Sequence, residues 1–172
     1  MSEIQKSVHG RFLGIDKDGN LVTRGSLVTG GGDAPLAAGS ARTLTYDDSG
    51  RIINLDTAAG STVTLPAATG SGCKFRFEVT VLATSNSHIV KVANASDTMR
   101  GGGVIADTDT AGAAYSFFAA AASDTITLNR STTGSVSLGE WIEVTDAAAN
   151  RWTVDYCLSA TGTPLTPFSA TV

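Results

Sequence analysis

The residues of this chain best suited to bind a metal ion lie in a short N-terminal segment rich in side-chain oxygens. Asp16, Asp18 and Asn20 are spaced two apart, like the first ligands of a calcium loop. A loop of the EF-hand type also needs glycine at its sixth position and a bidentate acid at its twelfth. Here Gly19 stands at position four and Leu27 at position twelve. The segment is therefore predicted to be a hairpin turn, and no metal site is assigned to it.

Histidine and cysteine, the commonest metal ligands and nucleophiles, are few and scattered. His9 and His88 each lack a second His, Cys or carboxylate at ligand spacing. Cys73 and Cys157 lie far apart in the chain, and we expect both to be small buried residues kept reduced. Gly101–Gly103 is not followed by the Lys-Ser/Thr pair of a phosphate-binding loop. The chain is therefore predicted to have no metal, no cofactor and no catalytic residues, and not to be an enzyme.

The acidic and aromatic residues near the C-terminus leave one alternative open. Glu140 and Glu143 differ in parity, so on one regular strand they face opposite sides and do not form a glycosidase-like pair. Trp141 and Trp152 belong to two successive strand candidates and could meet across an antiparallel pair. Such a pair is either packing or an aromatic platform for a sugar.

Charge and composition exclude several classes of protein. Twelve Lys and Arg against sixteen Asp and Glu give a net charge of −4, and the positive residues are scattered, so we expect no nucleic-acid partner. No apolar run approaches the ~20 residues of a membrane span, and the polar start Met-Ser-Glu-Ile-Gln-Lys lacks the apolar core of a signal peptide. Gly, Ala, Ser and Thr number 19, 24, 17 and 23, together 83 of 172 residues. This bias predicts short strands and tight turns rather than long helices.

The elements that must position any binding residue begin with an N-terminal arm over residues 1–28. Two short β-prone runs, Phe12–Ile15 and Leu21–Thr23, flank Asp18-Gly19, whose turn chemistry predicts a β-hairpin. Residues 29–41 contain three consecutive glycines followed by Pro35 and are predicted to be a linker.

Residues 42–172 are predicted to form the body of the protein. The longest strand candidate, Lys74–Val81, alternates polar even-numbered and apolar odd-numbered residues, which is typical of a strand with one buried face. Similar strands recur about every ten residues with turn signals between them, and residues 146–150 link the last two as a loop or a single helical turn. The predicted fold is all-β, an antiparallel β-sandwich or barrel with an N-terminal hairpin arm.

Several segments of the body resemble known virion proteins of bacteriophages. The segments are 54–72 (NLDTAAGSTVTLPAATGSG) with 74–77 (KFRF), 85–94 (SNSHIVKVAN) and 158–172 (LSATGTPLTPFSATV). Together they are similar to the capsid decoration proteins, also called head cement or auxiliary proteins, of tailed phages. The resemblance covers most of residues 42–172. The segment TLPAATGSG is also similar to lines found in phage tail fibres and spikes.

This resemblance implies a structural virion protein that binds the outside of a phage capsid and stabilises the shell. It implies the major capsid protein and further copies of the chain, as a homotrimer, as partners, with assembly in the host cytoplasm and no membrane or small-molecule substrate. A tail-fibre or receptor-binding module, in which Trp141, Trp152 or Tyr156 touches a host glycan, is the alternative. We expect the apolar residues of the arm hairpin to contact the capsid or a neighbouring subunit: Phe12, Leu13, Ile15, Leu21 and Val22.

Overall fold

The computed structural model describes residues 34–172 and, in the N-terminal part, three strands. These are β1 (Lys6–Val8), β2 (Arg11–Ile15) and β3 (Leu21–Thr23). They form an antiparallel sheet in the order β1-β2-β3, with Gly14 opposite Val22. The antiparallel pair predicted in the arm is therefore present as β2 and β3. The predicted turn at 16–20 and the three consecutive glycines of the linker, residues 30–32, lie outside the described residues.

The body consists of twelve strands in two mixed sheets that pack together as a β-sandwich, so the predicted all-β class and sandwich are confirmed. The seven-stranded sheet has the order β11-β10-β14-β13-β8-β6-β4, and the five-stranded sheet β15-β12-β9-β7-β5. The strands are β4 (Leu36–Ala37), β5 (Ala41–Thr43), β6 (Ile52–Leu55), β7 (Thr62–Thr64), β8 (Lys74–Val79), β9 (His88–Lys91), β10 (Thr98–Asp107), β11 (Ala114–Phe118), β12 (Thr125–Leu128), β13 (Trp141–Ala148), β14 (Arg151–Ala160) and β15 (Phe168–Ser169).

Both sheets contain parallel pairs, whereas the sequence predicted antiparallel ones. From β4 to β9 the strands alternate between the two sheets, so each strand has as its neighbour the strand next but one along the chain. The pairs β4·β6, β6·β8, β5·β7 and β7·β9 are all parallel for this reason. The long strands β10 and β14 also pair in parallel. Strand spacing along the chain does not distinguish this winding from a meander of hairpins.

The core lies between the two sheets. In β8 the odd-numbered Phe75, Phe77 and Val79 are buried, as the alternation predicted. Trp152 of β14 is fully buried and its ring lies 5.9 Å from that of Phe75. Each such side chain contributes about 1.5–3 kcal/mol through removal from water. The inward-facing residues of β8, β13 and β14 therefore anchor the centre of the larger sheet.

Two predicted boundaries need correction. The linker predicted over residues 29–41 includes residues that belong to the body, because Leu36 pairs with Ile53 of β6 and Ala38 is buried in the core. Residues 146–150, predicted to be a loop or helical turn, mostly continue β13 through a bulge, and Asn150 turns the chain at a φ of 60°. Asn accepts this left-handed conformation more easily than most residues.

Candidate interaction surface

The five residues predicted to bind a partner all belong to strands of the arm. Phe12, Leu13 and Ile15 are in β2, and Leu21 and Val22 are in β3. Their side chains lie outside the described residues. The candidate surface that can be described in detail is therefore on the body.

One face of the seven-stranded sheet points away from the five-stranded sheet, and we call it the outer face. The strand register aligns side chains across it in rows that cross four or more strands. One row runs from Ser116 through Val104, Cys157 and Trp141 to Glu78. In this row Val104 of β10 is apolar, Ser116 of β11 is small and polar, and Glu78 at the β8 end is charged. The outer face thus combines a small apolar area with a charged one.

Strand β11 extends beyond the cover of the second sheet. Tyr115 is opposite Ile105 and shares its core-facing side, yet Tyr115 is 43% exposed while Ile105 is fully buried. Phe118, on the outer face of the same strand, is 74% exposed. Residues 110–123 carry no charged side chain. Strand β11 therefore presents aromatic side chains on both faces, and in the described residues it has a neighbour on one side only.

Three consecutive glycines allow this strand to lie close to the rest of the sheet. A Cβ on Gly102 would collide with the Phe117 carbonyl oxygen and the ring of Phe118, which lies over this glycine on the outer face. On the inner face, a Cβ on Gly103 would collide with the carbonyl oxygen and ring of Tyr156. The Tyr156 hydroxyl donates a hydrogen bond of 2.8 Å to the Phe117 carbonyl. The glycines thus fix the position of β11 by making room for two aromatic rings.

The two tryptophans do not meet, contrary to the pairing considered from the sequence. Trp152 is opposite Asp146 and points into the core, whereas Trp141 is opposite Cys157 on the outer face. The guanidinium of Arg76 lies 4.4 Å from the centre of the Trp141 ring. The aromatic sugar platform, one of the two alternatives left open for this pair, is therefore not formed.

Buried carboxylates hold loops in place through backbone N–H groups. Asp146, 1% exposed, accepts hydrogen bonds from the N–H groups of Thr69, Gly70 and Ser71 at 2.8–3.1 Å and from the Ser71 hydroxyl at 2.7 Å. Burial alone would raise the pKa of Asp146, but these hydrogen bonds outweigh it and leave the pKa below its ordinary value.

Two further buried acids have equivalent partners. Glu140 accepts from the N–H groups at 135, 136 and 137 at 2.6–2.7 Å and from the hydroxyl of Ser159. Asp124 accepts from the N–H groups of Thr171 and Val172 at 2.8 and 3.1 Å and so fixes the end of the chain. Each of these carboxylates accepts at least two backbone N–H bonds and so holds a loop or a chain end in place.

His88 is a core residue. Its Nδ1 accepts the N–H of Ser61 at 3.1 Å, and its Nε2 lies 2.9 Å from the carbonyl of Val81, to which it donates. Burial lowers the pKa of His88, so the ring is neutral at pH 7 with its proton on Nε2. Among the described residues no group of three His, Cys, Asp or Glu is placed to hold a metal ion.

The two cysteines have different surroundings. Cys73 is buried, as expected, and burial raises the pKa of its thiol. Cys157 is exposed on the outer face, so the prediction that both are buried is wrong for this residue. Its position follows from parity, because Trp152, Val154 and Tyr156 of the same strand occupy the core.

The sequence did not indicate that β11 lies at a sheet edge. The signal that could have marked it is the absence of charge over residues 110–123, since charged residues are common on strands that border solvent.

A scan against protein-family models and a search of the curated proteins found no match to the chain. Within the residues that the structure describes, no helix is both long and apolar enough to span a membrane.

Proposed function

We propose that this protein is a structural component of a tailed-phage virion that binds the outer surface of the capsid as a trimer and stabilises the shell. The major capsid protein is its partner, and its role is mechanical rather than catalytic. Binding to the assembled shell alone lowers the free energy of that state and so opposes rupture. Symmetric repetition over the shell multiplies contacts that are individually weak.

The observation that carries this proposal is the exposed apolar surface at β10 and β11. Phe118 is 74% and Val104 41% exposed, and the two residues lie near each other on the outer face. Exposed aromatic and aliphatic side chains on neighbouring strands are typical of protein interaction sites. The buried acids Asp146, Glu140 and Asp124 also support a structural role, because their oxygens are committed to backbone N–H groups.

Two of the three aromatic residues considered for glycan binding are buried. Trp152 and Tyr156 are at most 2% exposed and cannot contact a sugar without unfolding of the core. Trp141 is partly exposed, but Arg76 lies against its ring. These three side chains therefore do not form a platform for a glycan.

The copy number of the protein on purified virions tests the proposal. We expect hundreds of copies per particle, and we expect particles stripped of the protein to lose DNA at a lower temperature than intact ones. Adding the purified protein back should restore the heat resistance. A few copies per particle, located at the tail, would contradict the capsid role.

Deleting residues 1–30 should leave a folded body that no longer binds capsids or associates through the arm. The core supports this expectation, because among the residues whose burial is described the buried apolar side chains begin at Ala38. We expect the thermal unfolding midpoint of the truncated protein to stay within a few degrees of the full chain, with at least a tenfold loss in capsid binding by co-sedimentation. A matched deletion of residues 1–5, which leaves strands β1–β3 intact, should bind normally. Undiminished binding by the longer deletion would refute a role for the arm.

A further inference from the structure

Strand β11 has hydrogen-bonding groups that its own sheet does not use. Asp107 donates its N–H to Ala113 at 2.9 Å, and Ala119 donates its N–H to Gly101 at 2.8 Å. Antiparallel pairs alternate between hydrogen-bonded and non-hydrogen-bonded positions, so the odd-numbered residues of β11 bond to β10. The N–H and C=O groups of Ala114, Ser116 and Phe118 therefore point away from β10, toward the open edge.

These outward groups match a second copy of the same strand. If two β11 strands run antiparallel about a two-fold axis at Ser116, Ser116 faces its own copy and Ala114 faces Phe118. Each of these three residues then donates once and accepts once across the axis. A shift of two residues in either direction would leave some of these groups unpaired.

The side chains are also compatible with this register. On the outer face the small Ala114 lies opposite the large Phe118, and on the other face Tyr115 lies opposite Phe117, an aromatic pair of the kind that stabilises antiparallel strands. The strand contains no charge, Pro or bulge, the devices that usually keep strand edges apart. Two copies can therefore approach without charge repulsion.

We propose that β11 pairs with β11 of a second copy about a two-fold axis at Ser116 and joins two seven-stranded sheets into one. This is an isologous contact, in which the same surface serves both partners. The contact does not depend on the capsid role proposed above. In a trimeric protein it links one trimer to the next.

Site-directed cross-linking tests the register. In the proposed pair the two Ser116 Cα atoms lie about 5.5 Å apart, a separation that suits a disulfide. In a Cys157→Ser background, which removes the exposed native thiol, Ser116→Cys should give a two-chain species on mild oxidation. The matched variant Ala114→Cys should not, because its two copies are about 14 Å apart along the strands. Equal cross-linking of both variants, or none of Ser116→Cys, would overturn the proposal.

A second pair of variants tests the hydrogen bonds without a new thiol. The Ser116 N–H points to the open edge, so Ser116→Pro removes an outward donor and leaves the bonds to β10 in place. We expect Ser116→Pro to keep the unfolding midpoint and to weaken concentration-dependent association at least tenfold in sedimentation velocity. Ser116→Thr should associate like the original chain. Unchanged association of the proline variant would contradict the pairing.

Discussion

Replacing Asp146 by alanine should lower the free energy of unfolding by about 2–4 kcal/mol. The substitution removes the acceptor shared by the backbone N–H groups of Thr69, Gly70 and Ser71, more than 70 residues away in the chain. It also leaves an empty volume where a carboxylate with 1% exposure stood. Chemical denaturation followed by tryptophan fluorescence measures the change, since Trp152 is directly opposite this residue in the sheet.

Asp155 provides the matched control. It is on the same strand pair but points to the exposed outer face, opposite Glu143. Replacing Asp155 by alanine should change stability by no more than about 0.5 kcal/mol. Equal losses in the two variants would mean that the hydrogen bonds of Asp146 do not stabilise the fold.

The carboxylate of Asp146 also makes the free energy of unfolding depend on pH. Because the pKa of Asp146 is lower in the folded protein than in the unfolded chain, its contribution is fully present above the unfolded value of about 3.9 and is lost as the pH falls through the folded pKa. Asp146→Asn keeps an acceptor oxygen but does not titrate. The stability difference between the original chain and this variant should therefore shrink as the pH falls below about 4. Asp124 shifts in the same direction but is present in both proteins, so it cancels in the difference.

The sequence was sufficient to predict strands and the faces that they bury. Alternation in β8 indicated that Phe75, Phe77 and Val79 would be buried, because side chains alternate across a strand whatever its neighbours are. Which strands pair with each other, and in which direction, was not predictable in the same way. The parallel pairs among β4 to β9 arise because the chain crosses between sheets at each step, and no local pattern encodes such a crossing.

The buried acids and the candidate surface were predictable only in part. Asp146 was assigned to a loop or helical turn, and its role depends on a segment about 75 residues earlier that only the folded chain brings near. The exposure of Tyr115 depends on where the smaller sheet ends, which is a property of the whole sandwich. The glycine triplet was considered as a phosphate loop and rejected, but its place within the long strand β10 was not foreseen, since glycine is unfavourable in strand interiors.

The second large effect is expected from Gly103→Ala, with a loss of about 3 kcal/mol or more. The new methyl group would meet the carbonyl oxygen and the ring of Tyr156. Strand β14 cannot retreat, because it is held between β10 and β13 in the middle of the larger sheet and Tyr156 is buried. For a protein of this size the loss corresponds to a fall of roughly 6–12 °C in the thermal midpoint.

Alanine variants at two other glycines distinguish the effect of this clash on stability from the general cost of replacing a glycine. Gly102→Ala pushes against β11, an edge strand that can shift outward, so we expect a smaller loss of about 1–2 kcal/mol together with weaker self-association. Gly112 has open space around it but a φ of +78°, so Gly112→Ala should cost about 1–2 kcal/mol from backbone strain alone. A midpoint for Gly103→Ala as high as that for Gly112→Ala would show that β10 and β14 can separate. In that case the glycines would not be what fixes β11 at the edge where a second copy can reach it.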